Sequence, residues 1–287
     1  MPKKNKKEKH PPNIVVFLVE GESDQIALET ALSELIFIAH PDYEVRFLLQ
    51  QRLVNSSGEE QDDPEDEEDD LPGDEEYKYG GDITTSSFVT PKNIETKITN
   101  RFIKPAVKAG DGFYEKKIAK IIQIVDLDGA YLTKDHIIPL ASERSDWEGL
   151  FYNDEHGVIE TQSLDETNDR NEQKQQNLNY LLSLTEKGIK IKSRIIPYEV
   201  YFFSSNLDHF INYNANMKTS KRYYADRFNR SYGLFVEKFC KFFLDDPGAI
   251  GQMGYFESWA KITQGTNSVK RFTNIDYLIR ALQDEAK

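Results

Sequence analysis

The sequence predicts an α/β fold in which a small parallel sheet is followed by a helical C-terminal region. Short runs of β-branched and aromatic residues alternate with segments whose apolar residues recur at helical spacing, which is the order of parallel strands joined by crossover helices. After residue 207 the helical pattern continues to the end of the chain. We therefore divide the chain into a disordered basic tail (1–12), an α/β domain (13–212) and a helical region (213–287).

The first elements predict a strand, a turn and a helix. Residues 13–19 are an apolar run of the kind that is buried on both faces of a parallel sheet. Glu20 and Gly21 follow as a turn, and Ser23 is a suitable N-cap for a helix that extends to Ala39. A second strand is predicted over residues 43–49.

An acidic insertion interrupts the domain at residues 55–81. Residues 59–76 contain 13 acidic side chains and no basic one, a composition that predicts disorder. The charge of this segment equals the net charge of the whole chain, −13, so the remaining residues together are neutral. The overall charge therefore does not exclude a nucleic-acid partner.

The remaining elements follow from the same patterns. Residues 93–109 are predicted to be helical, with a kink or an end at Pro105 because proline lacks the backbone N–H. Apolar runs predict strands at 118–125 and at 194–203. The polar segment between them, 133–190, is predicted to be mostly helical.

The composition also excludes several classes of protein. Cys240 is the only cysteine, which excludes a disulfide framework and a cysteine-built zinc site and indicates a reducing compartment. No stretch approaches the ~20 apolar residues that span a bilayer. We therefore expect a cytoplasmic protein that does not act on membranes.

Carboxylates follow two of the predicted strands directly. Glu20 comes after the first strand, and Asp126 and Asp128 come after the strand at 118–125. The carboxyl ends of parallel strands meet at one edge of a sheet, where three carboxylates would repel one another unless a cation lay between them. Hard divalent ions such as Mg²⁺ take oxygen ligands, and Gly21 and Gly129 would let a bulky anion approach the backbone. The alternative is turn capping, which Asp-Gly pairs commonly provide.

These residues resemble a known family. The segment Val19-Glu20-Gly21-Glu22-Ser23-Asp24 and the later Val125-Asp126-Leu127-Asp128-Gly129 are similar to the motifs of the Toprim domain of topoisomerases, primases, recombination mediators and some nucleases. The resemblance covers about residues 13–212. It implies that Glu20, Asp126 and Asp128 bind Mg²⁺ or Mn²⁺ and act in catalysis, with Asp24 in support.

A third segment extends the resemblance. Residues 202–210 are similar to the last motif of stand-alone Toprim nucleases of the overcoming-lysogenization-defect type. The similarity implies that Asp208 is a further metal ligand, that Asn206 shapes the turn and that His209 lies nearby; helix capping is the alternative for this segment. Those nucleases also use a lysine near the metals, for which Lys218 and Lys221 are the candidates by position.

A basic and aromatic stretch follows. Residues 213–241 carry seven basic and two acidic side chains interleaved with tyrosines. Basic groups bind phosphates and aromatic rings stack on bases, so Arg222, Arg227 and Arg230 are candidates for nucleic-acid binding. An amphipathic helix with one solvated face would explain the same pattern.

We therefore expect a divalent-metal-dependent nuclease or phosphodiesterase that acts on DNA or RNA. The resemblance also implies a role as an effector of bacterial anti-phage defence and allows a partner protein that controls activity. One alternative is a non-catalytic Toprim-type module that binds nucleic acid or a partner. Another is a phosphatase of the haloacid-dehalogenase type, with Asp126 as nucleophile and Asp245-Asp246 as a late acidic motif.

Overall fold

The computed structural model describes residues 13–55, 57, 59–61 and 76–287. The basic tail at 1–12 and most of the acidic tract, 62–75, lie outside the described residues, so the disorder predicted for them is not tested.

The described strands and helices follow one another in α/β order. The strands are β1 (Ile14–Val19), β2 (Glu44–Leu49), β3 (Gln51–Val54), β4 (Glu76–Tyr79), β5 (Ile118–Asp126), β6 (Ile137–Pro139), β7 (Phe151–Asn153), β8 (Val158–Thr161), β9 (Ile189–Ile191), β10 (Arg194–Ile196) and β11 (Tyr198–Phe203). The α-helices are α1 (Glu22–Ala39), α2 (Ile94–Ile98), α3 (Lys104–Ala109), α4 (Leu164–Lys187), α5 (Leu207–Asn212), α6 (Lys221–Phe228), α7 (Val236–Asp245), α8 (Tyr255–Ile262) and α9 (Ile275–Glu285).

The central sheet confirms the predicted α/β class. Four strands lie in the order β11, β5, β1, β2, and every neighbouring pair is parallel. All six residues of β1 are buried, as the uninterrupted apolar run predicts. The strand order reverses between β1 and β5, and such a switch point opens a crevice at the carboxyl ends of the two strands.

Helices cover the sheet and complete the core. Helix α1 packs against α6, α7 and α9, and α4 lies against β11. Helix α4 is joined to α2 by the Tyr180 hydroxyl, which donates to the Glu95 carboxylate at 2.6 Å. The crossovers β1–β2 and β5–β11 run in opposite directions along the sheet, so the right-handed rule assigns α1 and α4 to opposite faces.

The helix predicted over 93–109 contains a π-helical turn at Thr99–Ile103, between α2 and α3. There the Lys104 N–H donates to the Thr99 carbonyl, five residues back. Pro105 follows and cannot donate to the carbonyl four residues before it. The wider turn therefore carries the helix through the proline, which neither ends nor breaks it.

Two predictions about loops and helices were wrong. The segment 55–81 is not a loop throughout, because β4 pairs antiparallel with β3 and Glu60 forms a bridge with Val54. Glu60 is held by the buried Arg101, whose Nη1 lies 2.6 Å from its carboxylate. A local acidic composition did not reveal this long-range ion pair.

The segment 133–190 is helical only in its second half. Strands β6, β8 and β7 form a separate three-stranded sheet before α4 begins. Each strand has only three or four residues, which is too short for a clear alternation of apolar and polar residues. The predicted strand at 194–203 is likewise divided by Pro197 into β10, which pairs with β9, and β11.

None of the described helices combines the length and apolar character needed to cross a membrane.

Candidate active site

The carboxyl edge of the sheet brings together the residues that the sequence places after its strands. Glu20 directly follows β1, and Asp126 is the last residue of β5. The Asp126 backbone N–H donates to Glu20 Oε1 at 3.0 Å, across 106 residues of sequence. The predicted proximity of these two carboxylates is therefore confirmed.

The turn after β5 is fixed by the end of β11. The Leu127 and Asp128 N–H groups donate to the carbonyls of Phe203 and Ser205. Asp128 has φ 49°, in the left-handed region that non-glycine residues rarely adopt. Its carboxylate is therefore held on a constrained turn and not on an extended strand.

Gly129 has a role in packing. It also has a positive φ, and a Cβ added there would lie 2.5 Å from Ile159 Cδ1 and 2.6 Å from Val269 Cγ1. The glycine thus lets the turn pack on the three-stranded sheet, which differs from the expected approach of an anion to the backbone.

Asp128 is bound by two cationic side chains from α4. Its Oδ2 lies 2.6 Å from Lys174 Nζ and 2.6 Å from an Arg170 guanidinium nitrogen, and its Oδ1 accepts from the Tyr152 hydroxyl at 2.9 Å. Burial acts to raise the pKa of Asp128, but Lys174 and Arg170 outweigh it and hold that pKa well below its usual range. Asp128 is therefore ionised and neutralised by protein groups.

Asp82 completes this ion-pair cluster and was missed in the sequence. Its Oδ2 lies 2.7 Å from Lys174 Nζ, and its Oδ1 accepts from the Thr84 N–H at 2.7 Å. The adjacent Gly81 N–H donates to the Glu20 carbonyl at 2.7 Å, which holds the segment after β4 against the end of β1. The missed signal is an aspartate three residues after the short strand β4, concealed by the acidic composition before it.

Helix α4 presents a polar face to the site. Lys174 is fully buried, and its pKa is raised because Asp128 and Asp82 outweigh the opposing effect of burial. Buried residues along α4 recur every three or four positions: Thr167, Asn171, Lys174, Leu178 and Leu181. Polar residues thus continue the spacing of the buried leucines toward the N-terminus of α4. This repeated spacing is a signal that was available in the sequence.

Glu20 and Asp126 experience the opposite environment from Asp128. Burial, followed by the charges of Asp82 and other carboxylates, raises the pKa of Glu20 well above its ordinary value, although Lys174 opposes this. Burial and then the charge of Glu20 raise the pKa of Asp126 in the same direction. At these two positions burial and, after it, the charges of neighbouring carboxylates outweigh the opposing charge of Lys174.

Asp24 belongs to the same cluster. It lies in the first turn of α1 and accepts from the Gly21 N–H at 2.8 Å. Burial raises the pKa of Asp24 to about 6, with Asp208 adding to the shift while Gly21 and Lys221 oppose it. Gly21 itself is extended, with φ −142°, so its backbone does not require glycine.

Asp208 and Lys221 face each other at the side of the cluster. Lys221 Nζ lies 3.3 Å from Asp208 Oδ2. Burial raises the pKa of Asp208 although Lys221 opposes it, and the charges of Asp208, Asp126 and Asp24 raise the pKa of Lys221 against the effect of burial. Lys221 is therefore the predicted lysine that the structure brings to the carboxylates.

Asn206 and His209 shape the chain after β11. Asn206 caps α5 by accepting from the His209 N–H at 2.8 Å, and its amide donates to the Ala215 carbonyl at 2.8 Å. The His209 ring lies between Ser205 Oγ at 3.0 Å and Asp154 Oδ2 at 3.2 Å. The histidine therefore joins two segments of the fold and does not line the cleft beside the carboxylates.

The carboxylates open into a cleft of about 490 Å³. Its lining includes Glu20, Asp126, Asp128, Tyr152, Asn206, Lys218 and Lys221. Lys218 also lies over the ring of Trp147, with Nζ 4.0 Å from the centroid. Neither Asp245 nor Asp246 lines this cleft, and Asp246 instead binds Arg271.

The three candidate arginines have different surroundings. Arg222 pairs with Glu22 at 2.7 Å, and Arg230 pairs with Asp226 one helical turn away. Arg227 is exposed and lines a second pocket. The structure therefore does not bring these arginines together in the cleft.

The donor chemistry of the cleft suits a hard divalent cation. Glu20 and Asp126 line the cleft, Asp24 and Asp208 lie beside them, and all four offer only oxygen ligands. A bound cation would favour their ionised forms, which burial and, at Glu20 and Asp126, neighbouring carboxylates disfavour. The two Asp128 oxygens are already engaged by Lys174, Arg170 and Tyr152. In the described ranges, no group of three or more His, Cys, Asp or Glu side chains is arranged to hold a metal ion.

No family model matches the chain, and no curated protein or solved structure is significantly similar to it.

Proposed function

We propose that this protein is a divalent-metal-dependent nuclease or phosphodiesterase of the Toprim type. The observation that supports it best is the hydrogen bond from the Asp126 backbone N–H to the Glu20 carboxylate, which holds two carboxylate residues together at the switch point of a parallel sheet. The charge of Glu20 raises the pKa of Asp126, in addition to the larger effect of burial. Buried like charges are costly, so their retention at one site indicates a function that uses them.

The metal would be held by Glu20 and Asp126, with Asp24 and Asp208 at the sides of the cluster. A divalent ion bound there would activate a water molecule and bind a substrate phosphate oxygen. Asp128 serves a different purpose in this proposal, since its charge positions Lys174 beside Glu20. Lys221 is then the cation best placed to offset charge on a phosphate in the cleft.

A nucleic acid is the substrate that fits the surroundings of the cleft. Lys218 and Lys221 line its wall and can bind phosphates that flank the scissile one. The half-buried Trp147, over whose ring the exposed Lys218 lies, adds an aromatic surface at the same opening. We propose DNA or RNA as the partner on this basis.

Cleavage assays with labelled DNA and RNA test the proposal directly. Each nucleic acid is incubated with the protein in Mg²⁺, in Mn²⁺ and in a chelator. We expect cleavage only with a divalent ion, and a rate at least about a hundredfold lower in Glu20→Gln and in Asp126→Asn. Both substitutions keep side-chain shape and remove the charge that binds the metal.

The matched control is Glu22→Gln. Glu22 is the next glutamate in the sequence, but its carboxylate is exposed and pairs with Arg222 outside the cluster. We expect this variant to cleave at the wild-type rate. Full activity of Asp126→Asn, or cleavage that persists in the chelator, would contradict the metal assignment.

A non-catalytic binding module is the second candidate, because Asp128 is already neutralised by Lys174 and Arg170. A module of this kind would bind nucleic acid in the absence of metal and leave it intact. The same assays separate the two candidates: binding that survives in Asp126→Asn, with no cleavage by the wild type in either metal, favours the module.

A further inference from the structure

A second pocket lies beside the carboxylate cleft. It has a volume of about 420 Å³, and four of its ten described lining residues are aromatic: Tyr213, Tyr224, Phe228 and Tyr232. Arg227 is the one cation among these described residues, and Met217 is among the apolar and small polar residues that complete the lining. We call it the aromatic pocket. Its lining comes from the end of α5, the following loop and α6 with the turn after it.

Tyr213 is held in a conformation that tyrosine rarely adopts. It forms the C-cap of α5 with φ 58°, in the left-handed region that favours glycine or asparagine. The Arg271 guanidinium lies 3.9 Å from the centroid of its ring, and Arg271 is itself fixed by two hydrogen bonds to Asp246. The side chain is nevertheless 69% exposed, so the ring is supported on one face and open on the other.

Arg227 supplies the positive charge of the aromatic pocket. It is exposed, and the described part of the chain offers it no ion pair, whereas Arg222 on α6 and Arg230 in the turn after it do pair with acids. Phe228, which follows it, is buried against Tyr232 with ring centroids 5.1 Å apart. A single uncommitted cation beside several ordered rings suits a ligand that is both aromatic and anionic.

The aromatic pocket adjoins the carboxylate cleft. Met217 lines both cavities, and Lys218 and Lys221, which line the cleft, lie between Met217 and Tyr224 in the sequence. A chain with phosphates in the cleft would therefore reach the aromatic pocket without leaving the protein surface.

We propose that the aromatic pocket binds an unpaired base of a single-stranded nucleic acid, with the base stacked on Tyr213 and the adjacent phosphate bound by Arg227. This inference rests on the proposed function, because the phosphate to be cleaved would occupy the neighbouring cleft. Stacking requires an exposed base face, which a duplex does not offer. The aromatic pocket therefore selects single strands over duplexes.

The test measures binding in a chelator, so that cleavage does not contribute. The probe is a short single-stranded oligonucleotide, DNA in one series and RNA in another, that contains 2-aminopurine, a base whose fluorescence falls on stacking. We expect the wild type to quench the probe and to bind it more tightly than the matching duplex. Tyr213→Ala and Tyr213→Asn should each weaken single-strand binding about tenfold and abolish the quenching, with duplex binding unchanged.

Tyr213→Asn separates this role from a structural one. Asparagine tolerates a positive φ better than tyrosine does, so this variant is expected to fold normally. The control is Tyr114→Ala, which removes a 50% exposed tyrosine flanked by Lys116 and Lys117 near the start of β5, at the opposite end of the sheet. It should leave quenching and affinity as in the wild type.

Several results would overturn the inference: equal wild-type affinity for single strand and duplex, no binding of either probe, or full quenching by Tyr213→Asn. The nuclease proposal fails separately, through absence of cleavage in Mg²⁺ and Mn²⁺. Quenching without cleavage would thus support the base-binding pocket and contradict the nuclease proposal. Cleavage of duplex by a protein that does not quench the probe would support only the nuclease proposal.

Discussion

Two aspartates that are two residues apart have opposite electrostatic environments. Asp126 lies among carboxylates, and burial together with Glu20 raises its pKa. Asp128 is neutralised by Lys174 and Arg170, which hold its pKa below the usual range. The expected repulsion among the three strand-end carboxylates therefore contributes to the raised pKa values of Glu20 and Asp126, whereas two cations determine the pKa of Asp128.

Substitution of these two aspartates is expected to change stability in opposite directions. Asp126→Asn removes a charge that its neighbours repel, so the free energy of unfolding should rise by about 1 kcal/mol. Asp128→Asn removes one of the two carboxylates that pair with the buried Lys174 among the described residues and leaves Asp82, so the free energy of unfolding should fall by about 3 kcal/mol. Urea denaturation at neutral pH in a chelator measures both, and a change of the same sign in the two variants would contradict this account.

The residues that could be predicted from the sequence are those that directly follow apolar strands. Glu20 and Asp126 meet because the ends of parallel strands share an edge, which follows from order and pattern alone. Asp82 and Lys174 could not be found in this way. Their contact joins the end of a short hairpin to the middle of a polar helix, and only the tertiary fold brings these together.

Among the elements, the strands β1, β5 and β11 of the central sheet were predicted closely because most of their residues are apolar and buried. These residues contrast with the polar turns that follow them. The strands β6, β7 and β8 were missed because they are short and contain buried polar groups. Glu160 in β8, for example, is 4% exposed and is bound by Arg144. The charge of such a residue is neutralised by a partner that is distant in the sequence. The residues next to it in the sequence therefore do not identify it as part of a strand.

Helix α5 depends on Asn206, which makes two separable contacts. Its carbonyl oxygen caps the helix through the His209 N–H, and its amide nitrogen donates to Ala215 in the loop that leads to Lys218. We expect Asn206→Ala to lower the free energy of unfolding by about 2 kcal/mol, because both contacts are lost. Asn206→Ser should restore the cap and recover about half of that loss.

The two variants are compared by urea denaturation. An equal loss in both would assign the stability to the Ala215 contact alone. No loss in Asn206→Ala would mean that the cap does not contribute to the stability of α5.

At the scale of the whole molecule, the parallel sheet is surrounded by tyrosines whose hydroxyl groups donate hydrogen bonds. Tyr198 donates to Gln123 at 2.7 Å, Tyr201 to Glu199 at 2.9 Å, Tyr255 to the Val200 carbonyl at 2.6 Å and Tyr152 to Asp128 at 2.9 Å. Burial raises the pKa of each of these tyrosines, that of Tyr255 to about 12. The fold thus favours the neutral form of these tyrosine side chains, both around the β5–β11 pair and at the candidate site.

This arrangement predicts loss of stability in alkali. A tyrosine in the unfolded chain has a pKa of about 10, below the raised values in the folded protein, so the unfolded chain loses its protons first. Stability is therefore fully present below about pH 10 and falls as the pH rises toward the folded values, by about 1.4 kcal/mol per pH unit for each tyrosine that stays protonated in the fold. Urea denaturation from about pH 8 to about pH 11 gives this slope, and phenolate absorbance shows whether the buried tyrosines ionise only on unfolding.

Tyr201→Phe is the variant that tests the slope. Its acceptor, Glu199, also pairs with Lys120 at 2.8 Å, so loss of the hydroxyl leaves no unpaired buried group and should change stability little at neutral pH. Above about pH 10 the free energy of unfolding should fall less steeply with pH in the variant than in the wild type. The two slopes should differ by the contribution of one tyrosine. Equal slopes in the two proteins, or phenolate absorbance that rises fully before the fold is lost, would show that the tyrosines around the sheet do not set its alkaline limit.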